Sequence, residues 1–289
     1  MTQETQSTER PLVAPPEVSY AVLAVSAIGF ALWGLGWFAL ISDHEARLGW
    51  TLEFLGPLLI AIAIIMGAAR LVARIGRLAF VLITVGALAG AFSTSIFALS
   101  PTNLETVSGI RFGYGAYGVG LLLGACALGA VLVRKEAELT AAPARSYPPC
   151  PVGCPCGSII HASFTSLGFG AAGLLVWGLG FSHLATEPGG SEFGWVLSAV
   201  GSILVTIGLA THLAHLGARL GRAAVITAIA SAVIWSLGYV MEAINPSAGV
   251  LSSWYTDLFI CYGVGHLLTA ISIVLVGRRK SALEAAARG

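Results

Sequence analysis

The sequence predicts an all-α integral membrane protein: eight transmembrane helices built as two parallel four-helix repeats, with both termini cytoplasmic. Three observations predict it. Of 289 residues, 56% are hydrophobic and only 10% charged, where a soluble domain carries about 25% charged residues. Eight apolar runs are long enough to cross a bilayer, which takes about 20 helical residues with every backbone polar group satisfied internally. Finally, the second half of the chain repeats the first. The net charge of +1 leaves no footprint for nucleic acid, so the lipid bilayer is the partner that composition demands.

In order, residues 1–18 form a polar tail, MTQETQSTERPLVAPPEV, without the basic n-region of a cleavable signal. The first apolar segment is therefore expected to stay in the mature protein. A first repeat, 19–133, holds spans at about Ser19–Ile41, Thr51–Ala69, Leu78–Leu99 and Gly113–Val133. A cytoplasmic linker, 134–161, leads to a second repeat, 162–276, with spans at Ala162–His183, Phe193–Ala214, Ala223–Ala243 and Tyr255–Val276. A basic tail, 277–289, follows. The loops are short and carry helix breakers, such as SPTN at Ser100–Asn103 and EPGG at Glu187–Gly190.

Orientation follows from Lys and Arg, because basic loops are retained on the cytoplasmic side. Arg10, Arg70, Arg74, Arg77, Arg134, Lys135, Arg145, Arg219, Arg222, Arg278, Arg279, Lys280 and Arg288 share one face with the termini, and only Arg47 and Arg111 fall on the other. This predicts a multi-pass protein of the plasma (inner) membrane.

The repeat keeps an offset of 144 to 145 residues through both helices and loops. WGLGW at Trp33–Trp37 recurs as WGLGF at Trp177–Phe181, ARIGR at Ala73–Arg77 as ARLGR at Ala218–Arg222, and YGVG at Tyr117–Gly120 at Tyr262–Gly265. Pro101 matches Pro246, and Arg134–Lys135 matches Arg279–Lys280. Four spans is an even number, so the copies enter the membrane the same way up and are expected around a pseudo-two-fold axis along its normal. GALAG (Gly86–Gly90) and GLLLG (Gly120–Gly124) supply the small-residue spacing of helix contacts, and these glycines read as packing residues. GYGAYG at Gly113–Gly118 fits GxGxxG but follows no strand, so it is no dinucleotide fingerprint. No GxxxxGK[ST], HExxH or GxSxG occurs, and no covalent chemistry or catalytic residue is assigned.

The linker concentrates Cys150, Cys154 and Cys156, followed by His161. Three thiolates and an imidazole make a set that zinc accepts tetrahedrally, although Cys154-x-Cys156 around Pro155 is tighter than the usual zinc pair. A regulatory thiol cluster is a second reading. The plainest is an inert connection stiffened by Pro148, Pro149, Pro151 and Pro155. A reducing cytoplasm would keep the thiols unpaired. Cys126 and Cys261 lie within spans as small apolar packing residues.

Ionisable residues inside the membrane are costly and mark function. In the seventh span Trp235, Tyr239 and Glu242 stand on one helical face; the eighth adds Asp257 near its outer end, with Tyr262 and His266 deeper. The corresponding residues of the first repeat are Gly90, Thr94, Phe97, Phe112, Tyr117 and Leu121, a neutral half against a charged one. One reading is a cation or proton pocket in the outer half of the second repeat. The other leaves Glu242 and Asp257 solvated at the interface and His266 bonded to a neighbouring helix. Glu53 reads as interfacial, and the paired ARxGR loops read as topology determinants. His266 has no histidine partner at its depth, which argues against a bis-histidine haem.

Small-solute or ion translocation is the role these features favour. The alternatives are a non-catalytic accessory or scaffold subunit that docks through its Cys loop onto other membrane subunits or a second copy, and a membrane redox subunit carrying haem or quinone.

Overall fold

The structure, a computed structural model, describes residues 15–43, 46–102, 106–141, 163–187, 191–246 and 253–288. It is all-helical: α1 Tyr20–Ser42, α2 Arg47–Met66, α3 Ala68–Ile75, α4 Arg77–Leu99, α5 Val107–Ala141, α6 Phe164–Thr186, α7 Glu192–Ala214, α8 Gly217–Leu220, α9 Arg222–Ile244 and α10 Ser253–Ala286. All but the short α3 and α8 are long and apolar enough to cross a membrane, which gives eight candidate spans among the described residues where the sequence predicts eight. Ser19, Ser163 and Ser191 cap α1, α6 and α7, each hydroxyl accepting from the backbone N–H three residues on.

Two helices outrun their expected ends. The sequence places the fourth and eighth spans' ends at Val133 and Val276, but α5 continues to Ala141 and α10 to Ala286. Polar residues carry these extensions, with Arg134–Glu138 at 2.7 Å and Lys280–Glu284 at 3.3 Å as i,i+4 ion pairs along the helix. Residues 134–141 of the expected linker are thus helical. Cys150, Cys154, Cys156 and His161 lie outside the described residues.

Each spanning helix packs against its neighbours in sequence, and α10 packs back against α1, so the eight spans form a closed ring. Lipid supplies no hydrophobic drive for helix association, so contact depends on close approach. Glycine seams provide it. A Cβ built on Gly29, Gly34, Gly86, Gly118 or Gly173 would sit 2.7–3.1 Å from the carbonyl oxygen of Gly56, Gly263, Gly120, Gly178 or Gly201 respectively. Gly86 and Gly120 therefore pack as expected, and Gly124 meets Leu174. Gly90 differs: a Cβ there would meet nothing within 4 Å. Hydroxyls add cross-links, Thr206 to Ser236 at 2.8 Å and Ser231 to Thr269 at 2.6 Å. Leu78, Val81, Phe92, Ile226 and Val233 are exposed on the outside of the ring, the surface that faces lipid in a bilayer.

One end of the bundle is basic. There α4 and α9 each start after a glycine of positive φ, Gly76 at +87° and Gly221 at +95°, a conformation other residues rarely adopt. Arg134 donates to the Ala73 carbonyl at 3.3 Å and Arg279 to that of Ala218 at 3.2 Å, satisfying the ends of α3 and α8. The ammonium of Lys135 lies over Phe164 at 4.3 Å, and that of Lys280 over Tyr20 at 5.1 Å. Lys280 also donates to the carbonyls of Pro16 and Val18, tying the entry of α1 to the end of α10.

A methyl on Gly201 would sit 2.5 Å from both the backbone nitrogen and the Cβ of Trp177, whereas one on Gly168 meets nothing. Gly201→Ala is expected to cost about 1–3 kcal/mol and to lower the thermal midpoint in detergent by several degrees. Gly168→Ala should leave that midpoint unchanged or raise it slightly.

Candidate functional site

The ring encloses a cavity of about 480 Å³ to which all eight spans contribute. Its lining comes from the C-terminal halves of α1, α4, α6 and α9 and the N-terminal halves of α2, α5, α7 and α10. It therefore lies in the half of the bundle away from the basic end. Five of the seven Trp and five of the seven Tyr line it, so these residues gather inside the ring rather than only in interfacial belts. The rings pack on one another: Tyr117 on Phe181 at 4.6 Å, Trp37 on Tyr262 at 4.9 Å, Trp50 on Phe97 at 4.9 Å and Tyr239 on Tyr262 at 5.1 Å between centroids.

Among the described residues, two carboxyls and one imidazole line this box beside the tyrosines. Glu53 is fully buried, at 0% exposure. Its position is set by two local features of α2. Pro57 has no N–H to give the Glu53 carbonyl four residues back, and the Thr94 hydroxyl of α4 donates to that carbonyl instead, at 3.1 Å. The Glu53 side chain reaches α1, where the Trp33 indole donates to Oε2 at 2.7 Å. Oε1 has no hydrogen-bond partner among the described residues. The expectation that Glu53 is interfacial is therefore corrected: it sits only in the second turn of α2, but α1 and α4 cover it.

Glu242 is 6% exposed, with no hydrogen bond or ion pair to a described residue. His266 is 4% exposed and its ring lies 4.1 Å from that of Trp33. Its Nδ1 stands 2.7 Å from the Tyr262 carbonyl, which can only accept, so Nδ1 is the donor. Nε2 is then left as an acceptor in the neutral ring. Among the described residues, no Lys or Arg lines the cavity.

Of the residues singled out from sequence, Trp235, Tyr239, Glu242, Tyr262 and His266 come together here, and Asp257 does not: it is exposed and outside the lining. Sequence reasoning missed Glu53, Trp33, Trp37, Trp50, Tyr114 and Tyr117. The available signal was the depth shared by these rings, each near the same end of its span. The contrast of a neutral with a charged half also needs correction, because the first half supplies Glu53.

Positions 144 or 145 residues apart in the sequence have different surroundings. Trp33 packs on Gly56 and Trp177 on Gly201, but Ser198 stands where Glu53 would correspond, and the buried Trp177 Nε1 has no partner among the described residues. Gly90 leaves space where Trp235 presents an indole. An apolar pocket of about 210 Å³ opens beside Gly90, lined also by Trp33, Ile60, Leu121 and Leu174. Among the described residues no cluster of three or more His, Cys, Asp or Glu is placed to hold a metal. His212 lies in the last turn of α7, at the far end from His266, so the two do not flank one site.

Trp33→Phe removes the donor to Oε2 and leaves a buried carboxyl with no side-chain partner. It is expected to cost about 1–3 kcal/mol of stability, read as a lower thermal midpoint. The same change in a Glu53→Leu background should cost clearly less, because the bond is already gone. Comparison of the chain with protein-family models, with curated proteins and with solved structures returns no match.

Proposed function

We propose that this polytopic protein translocates a small solute or ion across the plasma membrane, binding it in the central cavity. The observation that carries the reading is a cavity ringed by all eight spans and holding two buried carboxyls, Glu53 and Glu242. Burying such groups is costly. A subunit whose task is only to dock through its surface has no use for that cost, which favours translocation over the accessory or scaffold reading.

We also infer two parallel four-helix repeats, 19–133 and 162–276. Several pairs of contacts support this. Lys135 over Phe164 at the α5–α6 junction corresponds to Lys280 over Tyr20 at the α10–α1 junction. Gly118 against Gly178 corresponds to Gly263 against Gly34, and the Arg134–Ala73 bond to Arg279–Ala218. With the basic end cytoplasmic, both termini lie inside and the cavity occupies the outer half of the membrane. Carboxyls and a histidine in one enclosed site are the usual material of ion-coupled transport.

The test is flux into proteoliposomes, screened over amino acids, sugars, organic cations and inorganic cations. Wild-type protein is expected to carry one class, with flux falling roughly tenfold or more in Glu242→Gln and in His266→Ala. Unchanged flux in both variants would remove the site assignment. No flux with any class, together with a stoichiometric partner copurifying from native membranes, would move the protein to the accessory reading.

A further inference from the structure

We propose that the ligand of the central cavity is an organic ammonium cation, held between aromatic faces and neutralised by Glu53 and Glu242. This rests on the reading of the cavity as the solute site and adds the chemical class of that solute.

Size comes first. A volume of about 480 Å³ falls in the range of small-molecule sites, about 300–1,000 Å³. A bare metal ion needs an inner shell of close oxygen or nitrogen ligands, about six for magnesium and more for calcium. Two carboxyls among rings do not offer one. A strongly hydrated ion would meet a wall made mostly of indole and phenol faces. The space suits a molecule with its own apolar surface.

Charge comes second. The lining contains Glu53 and Glu242 and no Lys or Arg, and neither carboxyl is paired with a cation among the described residues. A buried carboxyl must either carry a proton or meet a positive partner. Oε1 of Glu53, buried against Gly36 and without a hydrogen-bond partner among the described residues, is one unsatisfied acceptor. Nε2 of His266 is a second, because Nδ1 is committed to the Tyr262 carbonyl. An anion would find two negative or acceptor groups and no cation to receive it. A sugar carries no positive charge to meet the two carboxyls, and the described lining residues include no Asn, Gln or Asp to bracket its hydroxyls.

Recognition comes third. The negative π-face of Trp, Tyr or Phe attracts a quaternary or alkyl ammonium, and aromatic boxes bind such cations in place of water. Here Trp33, Trp37, Trp50, Tyr114, Tyr117 and Tyr239 bring rings from four helices into one enclosure that also contains the carboxyls. Faces bind the alkyl groups around the nitrogen while the carboxyls supply the countercharge. Either feature alone is common; their coincidence in one cavity selects an organic cation.

The test is a tryptophan-fluorescence titration of the full-length protein in nanodiscs with three probes of similar size: benzyltrimethylammonium, neutral benzyl tert-butyl ether and anionic benzenesulfonate. The cation should quench saturably and bind at least roughly tenfold tighter than the ether, and the sulfonate should not bind. Glu53→Gln and Glu242→Gln should each weaken the cation by roughly tenfold while leaving any ether binding unchanged. Because the three probes are compared on wild-type protein, a variant that fails to fold does not spoil the test. Binding of the ether or sulfonate as tightly as the cation, or no saturable cation binding, overturns the proposal. Cation binding without flux keeps the ligand class and removes translocation. Flux of a neutral or anionic solute without cation binding does the reverse.

Discussion

The hydrogen bond from the Trp33 indole to the Glu53 carboxyl, 2.7 Å long, is the contact on which the interior of the first half depends. It requires two glycines. Gly56 lets the Trp33 side chain lie directly on α2, since a Cβ there would be 2.6 Å from that of Trp33. Gly36 leaves room for Oε1, which a Cβ would approach to 2.9 Å. Pro57 then frees the Glu53 carbonyl for Thr94, which brings in α4. On its other side Trp33 lies against His266 of α10, itself fixed by the Tyr262 carbonyl. One buried carboxyl thus organises four helices, and each of its supports is a residue type whose absence would leave a clash or an unpaired polar group.

The second half keeps the Trp-on-Gly contact but has no carboxyl 145 residues after Glu53. Trp177 lies on Gly201 as Trp33 lies on Gly56, but Ser198 turns its hydroxyl to the Gly194 carbonyl at 2.9 Å and leaves the indole N–H unmatched. Its carboxyl appears elsewhere, at Glu242 of α9, at the position corresponding to Phe97. On the reading of two four-helix repeats, the site is asymmetric inside a near-symmetric wall. That suits a ligand with a charged end and an apolar end better than one with two equal ends.

The spans were legible because apolar length is a local property: one helix's composition decides whether it can lie in lipid. The ends of α5 and α10 were not, since Arg134, Lys135, Glu136 and Glu138 look like a solvated tail until their i,i+4 pairing is seen. Glu242 and His266 stood out because an ionisable group among apolar neighbours is visible in one dimension. Glu53 did not, because its closeness to Arg47 and to the start of α2 suggests the interface, and only the covering helices α1 and α4 decide otherwise. Asp257 failed in the opposite sense: near the others in sequence, it points off the cavity, and helical phase alone did not separate it from Tyr262. Gly90 looked like a packing glycine because its spacing from Gly86 is right, whereas its value lies in the space it leaves.

If the halves move against each other, the contacts between them decide where. At the basic end they are polar and specific: Lys280 holds the carbonyls before α1, Tyr20 donates to Glu284, and Arg219 pairs with Glu17 at 3.8 Å. Toward the cavity, the α5–α6 and α10–α1 seams are glycine against glycine, flanked by aromatic pairs such as Tyr117 with Phe181 and Trp33 with His266. Ring contacts carry no fixed donor–acceptor geometry, whereas the bonds from the buried Lys280 ammonium to the Pro16 and Val18 carbonyls do. The same rings line the cavity, so a ligand that inserts among them acts directly on the seams. On the translocation reading, occupancy of the cavity therefore bears on the two junctions between the halves, where the same rings meet.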